Sequence, residues 1–201
     1  MPQINGAISE QGFEKIAARI GEILADELSN QAELNYDDVD LQSKVWVERF
    51  IPFDHTNCPA INVKCRTGTF DNHSENGAAA RGTHIIDVDV YTKAKGDDND
   101  AGDGLAAIKC KRLLGICRAI IENPIYKQLG YAHGFVFGRR STGFIIPDDL
   151  EQPQQNVCVG RVTFEVIVKE TTDTINANMV DGMETTMFLE ETDDGYYFIV
   201  Y

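Results

Sequence analysis

The sequence predicts an α+β protein, a largely antiparallel β-sheet with two helices packed on one face, plus a C-terminal β-hairpin extension. Three observations lead there. Two segments repeat apolar residues at three- and four-residue steps, the period of a helix with one buried stripe. Several others alternate apolar with polar residues, the period of a strand with one buried face. The order is helix, two strands, a loop, a strand, a long helix, then two or three strands, which puts both helices on one side of a sheet. At 201 residues, with 43% apolar and 25% charged side chains, the chain can bury roughly 70% of its unfolded surface without staples. Residues 1–170 form the expected core and 171–201 an acidic appendage.

The first helix is marked by Phe13, Ile16, Ala17, Ile20, Leu24 and Leu28 on one stripe. Ser9 is the expected N-cap, Ile8 and Phe13 the expected hydrophobic staple, and Ser29 and Asn30 begin the polar end. Val45 to Phe50 reads as a short strand closed by Pro52, and Ala60 to Thr67 as a second with Pro59 at its edge. From Asp71 to Gly82 there are too few large apolar residues to pack, so a loop is expected. His84 to Lys93 alternates as a half-buried strand, Ile86, Val88 and Val90 opposite Ile85, Asp87, Asp89 and Tyr91.

A second helix is predicted from Leu105 to Glu122, with Cys110, Leu113, Leu114, Cys117 and Ile121 inward and Asn123-Pro124 as its stop. Phe135 to Arg139 and Ser141 to Pro147 read as two extended stretches around Arg140. Val157 to Glu170 is the longest strand. Its face of Val162, Phe164, Val166 and Val168 is apolar, while Arg161, Thr163 and Glu165 face the other way. From Glu170 onward eight acidic residues appear with no Lys or Arg. There Thr185 to Leu189 and Tyr196 to Tyr201 have strand composition, joined across Asp194-Gly195.

Chemistry is sparse along this chain. The five cysteines show no close pairing, and Cys110 and Cys117 fall on an apolar helical stripe, so reduced core thiols are expected. Cys58, Cys65, His73 and His84 lack the short ligand pairs of structural zinc, and Cys65 alternates with Ile61 and Val63 as one strand face. The acidic run Gly96 to Gly104 fails the calcium-loop register at Ala101 and Ile108. GRRSTG is followed by Phe144 where a phosphate loop needs lysine, and the glycines of GFVFG lie before a strand instead of between a strand and a helix. Asp87 and Asp89, with Glu165 across a sheet, read as a solvated face, with a small metal-dependent hydrolase as the alternative. The expectation is no enzyme, with no catalytic, cofactor or metal residues.

Charge is more informative. With 18 Lys and Arg against 32 Asp and Glu the formal net charge is −14, which argues against sequence-specific DNA binding. Yet Lys93 to Arg140 carries nine basic residues against five acidic ones. Such polarity suits a subunit whose basic part meets the acidic part of the next copy. The candidate inter-subunit contacts are Arg139 and Arg140 at a strand bend, Lys111 and Arg118 on the long helix, and Tyr197 and Ile199 in the C-terminal strand. No apolar run approaches the roughly 18 residues that would cross a bilayer, and the first residues have no leader pattern. No membrane association is expected, and assembly and use in a cytoplasm are.

The N-terminal helix, the strand THIIDVDVYTK, the helix AAIKCKRLLGICRAII followed by Pro, and GFVFGRRSTGFIIPDD leading to VGRVTFEVIVKET together resemble the tail terminator family of tailed bacteriophages. The resemblance spans about residues 8 to 170 and rests on element order and local texture. It implies a structural virion protein that forms a homo-hexameric ring on the head-proximal end of the tail tube. Such a ring ends tube polymerisation and joins the tail to the neck. The implied partners are the tail tube protein and a neck or head-closure protein, with genomic DNA passing the lumen without specific binding. The implied location is the virion, at the tail-neck junction, after assembly in the host cytoplasm. Tail completion and head-closure subunits of the same neck are the nearest alternatives.

Overall fold

A computed structural model describes residues 7, 9–35, 41–50, 58–71, 80–96, 101–147 and 156–170, and the backbone of 188–192 and 195–199. Two compact units divide the chain: Glu10–Thr172, and Met1–Ser9 together with Asp173–Tyr201. In the first, helices α1 (Gly12–Leu34) and α2 (Gly102–Glu122) pack on a five-stranded sheet. Its strands are β1 (Lys44–Val47), β2 (Ala60–Asp71), β3 (Ala80–Lys93), β4 (Val136–Ile145) and β5 (Val157–Glu170), in the order β1-β2-β3-β5-β4. Only β1 and β2 run parallel, so the sheet is mixed and mostly antiparallel.

Strand alternation decides which side receives the helices. Val63, Val88 and Val162 are register neighbours across β2, β3 and β5, and with Ile61, Ile86, Phe164, Val166 and Val168 they make the apolar centre of one face. Ile16, Ile20, Leu24 and Leu28 of α1 and Cys110, Leu113, Cys117 and Ile121 of α2 join them in one core. Both helices therefore lie on the side the sequence predicts, and β5 has its expected bounds.

Several boundaries differ for identifiable reasons. Helix α1 starts at Gly12, with Gln11 and not Ser9 as N-cap, because the Glu14 carboxylate accepts the Gln11 backbone N–H at 2.6 Å. Ile8 of the expected staple lies outside the described residues. The helix runs through Ser29 and Asn30 to Leu34, since Ala32 extends the buried stripe one turn beyond Leu28. Phe13 is 38% exposed, resting edge-on against Phe70. Strand β1 stops at Val47, where Glu48 turns to φ 53°.

Strands β2 and β3 extend to Asp71 and back to Ala80, taking in both ends of the expected loop; its middle, 72–79, lies outside the described residues. Here cross-strand pairing outweighs weak local hydrophobicity. Helix α2 begins three residues early, at Gly102. The two stretches around Arg140 are a single strand, β4, whose register against β5 shifts at Gly138 and again at Gly143. Bulges bend a strand without ending it.

In the second unit the backbone segments β6 (Phe188–Thr192) and β7 (Gly195–Ile199) pair antiparallel, Thr192 opposite Gly195. No helix among the described residues is long and apolar enough to cross a membrane.

Candidate functional site

The sheet face turned away from the helices collects charge. Asn62 and Lys64 of β2, Asp87 and Asp89 of β3, and Thr163 and Arg161 of β5 are register neighbours and so share that side. Asp87 and Asp89 are buried, which corrects the expectation of a solvated face. Arg161 holds them both: its Nε and Nη2 donate to Asp89 at 2.5 and 3.0 Å, and its Nη1 lies 3.1 Å from Asp87. Thr163 Oγ1 donates to Asp87 at 2.9 Å, Lys64 sits 3.3 Å from Asp89, and Arg66, thrown out of register by a bulge, sits 3.3 Å from Asp87. The hydrogen bonds to Asp89 outweigh burial and push the Arg161 guanidinium above its ordinary value.

Two carboxylates facing three cations are neutralised before any metal arrives. Glu165 is turned to Arg140, at 2.9 Å, and does not complete a carboxylate triad. Among the described residues no cluster of three metal-ligating side chains forms. The alternative of a metal-dependent hydrolase thus finds its three carboxylates occupied by cations.

Around this centre the face stays basic out to its edges. Lys44 and Arg49 stack on Trp46 at 4.3 and 4.7 Å from the ring centre, and Arg81 covers Phe137 at 4.2 Å. Lys93 and Lys169 continue the same alternation along β3 and β5. Nine of the 18 Lys and Arg lie on this side, against Asp71, Asp87, Asp89 and Glu165, so the described residues of this face sum to +5 in a chain of net charge −14. Sequence reading missed this patch because its members are scattered from Lys44 to Lys169 and meet only through strand register.

The residues expected at subunit contacts separate into three places. Arg139 points to the helix side, where its guanidinium donates to the carbonyls of Tyr126 at 2.9 Å, Asn123 at 2.6 Å and Ile121. It thereby closes the C-terminal end of α2, and burial draws its guanidinium below the usual value. Arg140 faces the open side with its side chain 71% exposed. Lys111 and Arg118 come together with Leu114, Phe144 and Val162 around a groove of about 470 Å³ between α2 and β4. The side chains of Tyr197 and Ile199 lie outside the described residues.

Glu122 ties the groove to the helix end. It accepts from the Ser141 N–H at 3.1 Å and hydroxyl at 2.5 Å, and pairs with Arg118 at 3.0 Å. The Ser141 hydrogen bond holds its carboxyl below the ordinary range.

A buried pair sits at the start of α1. His84 Nε2 lies 2.7 Å from Glu170 Oε1, and Glu170 Oε2 accepts the Gly12 N–H at 2.7 Å. A Cβ on Gly68 or Gly82 would come within 2.2 or 2.3 Å of the His84 ring, so both positions require glycine for close approach. This carboxylate is placed at the positive end of the helix dipole. Cys58 and Cys65 are half-buried and in no disulfide, and His73 lies outside the described residues.

No protein-family model matches the chain, and the comparison with curated proteins found no significant match.

Proposed function

We propose that this chain is a structural subunit of a bacteriophage tail, of the tail terminator kind, forming a ring at the head-proximal end of the tube. The observation that carries the proposal is the outer edge of the sheet. Among the described residues strand β4 pairs on one side only, with β5, and presents Phe137, Phe144 and Ile145 at 46%, 71% and 58% exposure. An unpaired edge bearing apolar side chains is a liability in a monomer and an interface in an assembly. Beside it lies the groove with Lys111 and Arg118, so a neighbouring subunit meets apolar surface rimmed by cations.

On this proposal the ring stops tube growth and joins the tail to the neck, its partners being the tube protein and a head-closure protein. The C-terminal strands form a hairpin extension available to a neighbour. The strongly acidic remainder repels phosphate, so DNA passes without specific binding. Native mass spectrometry and negative-stain imaging, at several protein concentrations and with added tail tubes, test this directly. Closed rings, or monomers that close into rings on tube ends, are the expected result. A monomer or dimer that never caps a tube overturns the proposal, and rings that cap heads but not tubes point to a head-closure role. A steep, salt-sensitive shift of duplex DNA would remove the non-binding lumen.

A further inference from the structure

The basic open face of the sheet lies opposite the α2–β4 groove, with Arg140 of β4 at its margin. We infer that this face docks the acidic 171–201 segment of a second copy of the chain. The inference rests on the ring reading only in taking that second copy as the neighbour. The first support is complementarity: the face carries +5, and 171–201 carries seven carboxylates with no lysine or arginine. The second is availability. Arg140 and Arg66 keep 71% and 52% of their side-chain surface exposed, and their guanidinium groups suit bidentate pairing with carboxylates. The third is reach, since the 17 residues from 171 to 187 can extend about 60 Å before the paired strands begin.

A nucleic acid is the obvious rival for a basic sheet face with aromatic residues. Such proteins stack bases on open aromatic rings. Here Trp46 is already covered by Lys44 and Arg49, and Phe137 by Arg81. Carboxylates need no open ring, only the exposed guanidinium and ammonium groups of the face.

The test uses full-length protein in three forms. One reverses the face (Lys44→Glu, Lys93→Glu, Arg140→Glu and Lys169→Glu, from +5 to −3), one reverses the segment (Glu184→Lys, Glu190→Lys, Glu191→Lys, Asp193→Lys and Asp194→Lys, from −7 to +3), and one carries both sets. None of the four face positions touches the Asp87–Asp89–Arg161 centre; circular dichroism and a urea melt confirm folding, and Gln at the same four positions, with loss of association as the readout, replaces the reversal if it fails to fold. Sedimentation of each form across salt concentrations is expected to show self-association weakened about tenfold or more by either reversal. The doubly reversed form is expected to recover it, and a mixture of the two singly reversed forms to form heterodimers. Wild-type association should weaken as salt rises. Association indifferent to both reversals overturns the inference, as does wild-type protein monomeric at every concentration. A labelled single-stranded oligonucleotide bound by wild type and lost in the face variant, with self-association unchanged, assigns the face to nucleic acid instead. Rings on tubes that survive both reversals overturn only this docking; charge-dependent dimers that never cap a tube overturn only the ring.

Discussion

Arg161 holds the open face together, because removing it leaves Asp87 and Asp89 buried with their bidentate and bridging partner gone. Truncating one side of a buried ion pair typically costs about 3–5 kcal/mol, so Arg161→Ala should lower the urea midpoint by that equivalent. Arg161→Lys should recover only part, since an ammonium cannot fork between two carboxylates. An Arg161→Ala midpoint within experimental error of wild type would mean the pair is not a structural centre. The cysteines give a second residue-scale expectation. Burial pushes the Cys110 and Cys117 thiols up to about 12. Their thiolates are negligible at pH 8, and both should resist alkylation until the protein unfolds, as mass mapping of alkylated peptides would show. A raised folded-state pKa means these thiols hold their protons longer in the native state. The stability they contribute is therefore present below the ordinary thiol value near 9 and is lost as pH rises from there toward 12. The buried cysteines were legible from their helical spacing. The buried aspartates were not, because strand alternation places Asp87 and Asp89 on the face opposite the core, and only the facing Arg161, Lys64 and Arg66 reveal that this face closes over them.

At the scale of elements, periodicity located both helices and the long strand β5, and it erred where pairing or capping takes over from local pattern. Helix α1 begins at Gly12 because Glu14 and Glu170 together satisfy the N–H groups of Gln11 and Gly12, and Glu170 is 158 residues away from Gly12. No local reading of Ser9 could anticipate a cap delivered by another strand. Helix α2 ends at Glu122 as Asn123-Pro124 requires, but Arg139 caps the carbonyl of Ile121 in its last turn and those of Asn123 and Tyr126 just beyond, and a sequence reader sees Arg139 only as half of a basic pair. Hydrogen bonds to a charged donor contribute about 1.5–3 kcal/mol, so Arg139→Ala should destabilise the fold by about 2–3 kcal/mol in a urea titration. Arg140→Ala, on the exposed side, should change stability by less than about 1 kcal/mol. Equal losses at the two positions would refute the division of labour between adjacent arginines. Glu122 reports on the same junction through pH. Its carboxyl is held below the ordinary range, so the stability it contributes is present above about pH 4.5 and fades as pH falls through the depressed folded-state value. Ser141→Ala removes the hydroxyl hydrogen bond, the largest cause of the shift, while the Ser141 N–H and Arg118 remain, and the acid limb of the unfolding curve should then begin at modestly higher pH.

For the whole molecule, net charge was legible and its arrangement was not. A count of −14 is a property of composition, whereas a face whose described residues sum to +5 is a property of the order β1-β2-β3-β5-β4, which brings Lys44, Lys64, Lys93, Arg161 and Arg140 to one side. The apolar edge of β4 escaped notice for a related reason: a strand rich in Phe and Ile reads as interior until its neighbours are known, and among the described residues β4 has one. That edge makes the assembly testable without disturbing the fold. Phe144 and Ile145 are 71% and 58% exposed, so replacing both with Asp should leave monomer stability within about 1 kcal/mol of wild type, as for surface substitutions in general. In a subunit interface the same change buries two unpaired charges per contact, and breaking or burying such groups costs several kcal/mol at each junction. Around a closed ring every junction carries the same defect, so rings should disappear by native mass spectrometry at concentrations where wild type is fully assembled. Tube ends should then stay uncapped in negative stain while the urea midpoint is preserved. Persistence of rings in the double variant would show that β4 faces solvent in the assembly, and that the edge serves something other than the neighbouring subunit.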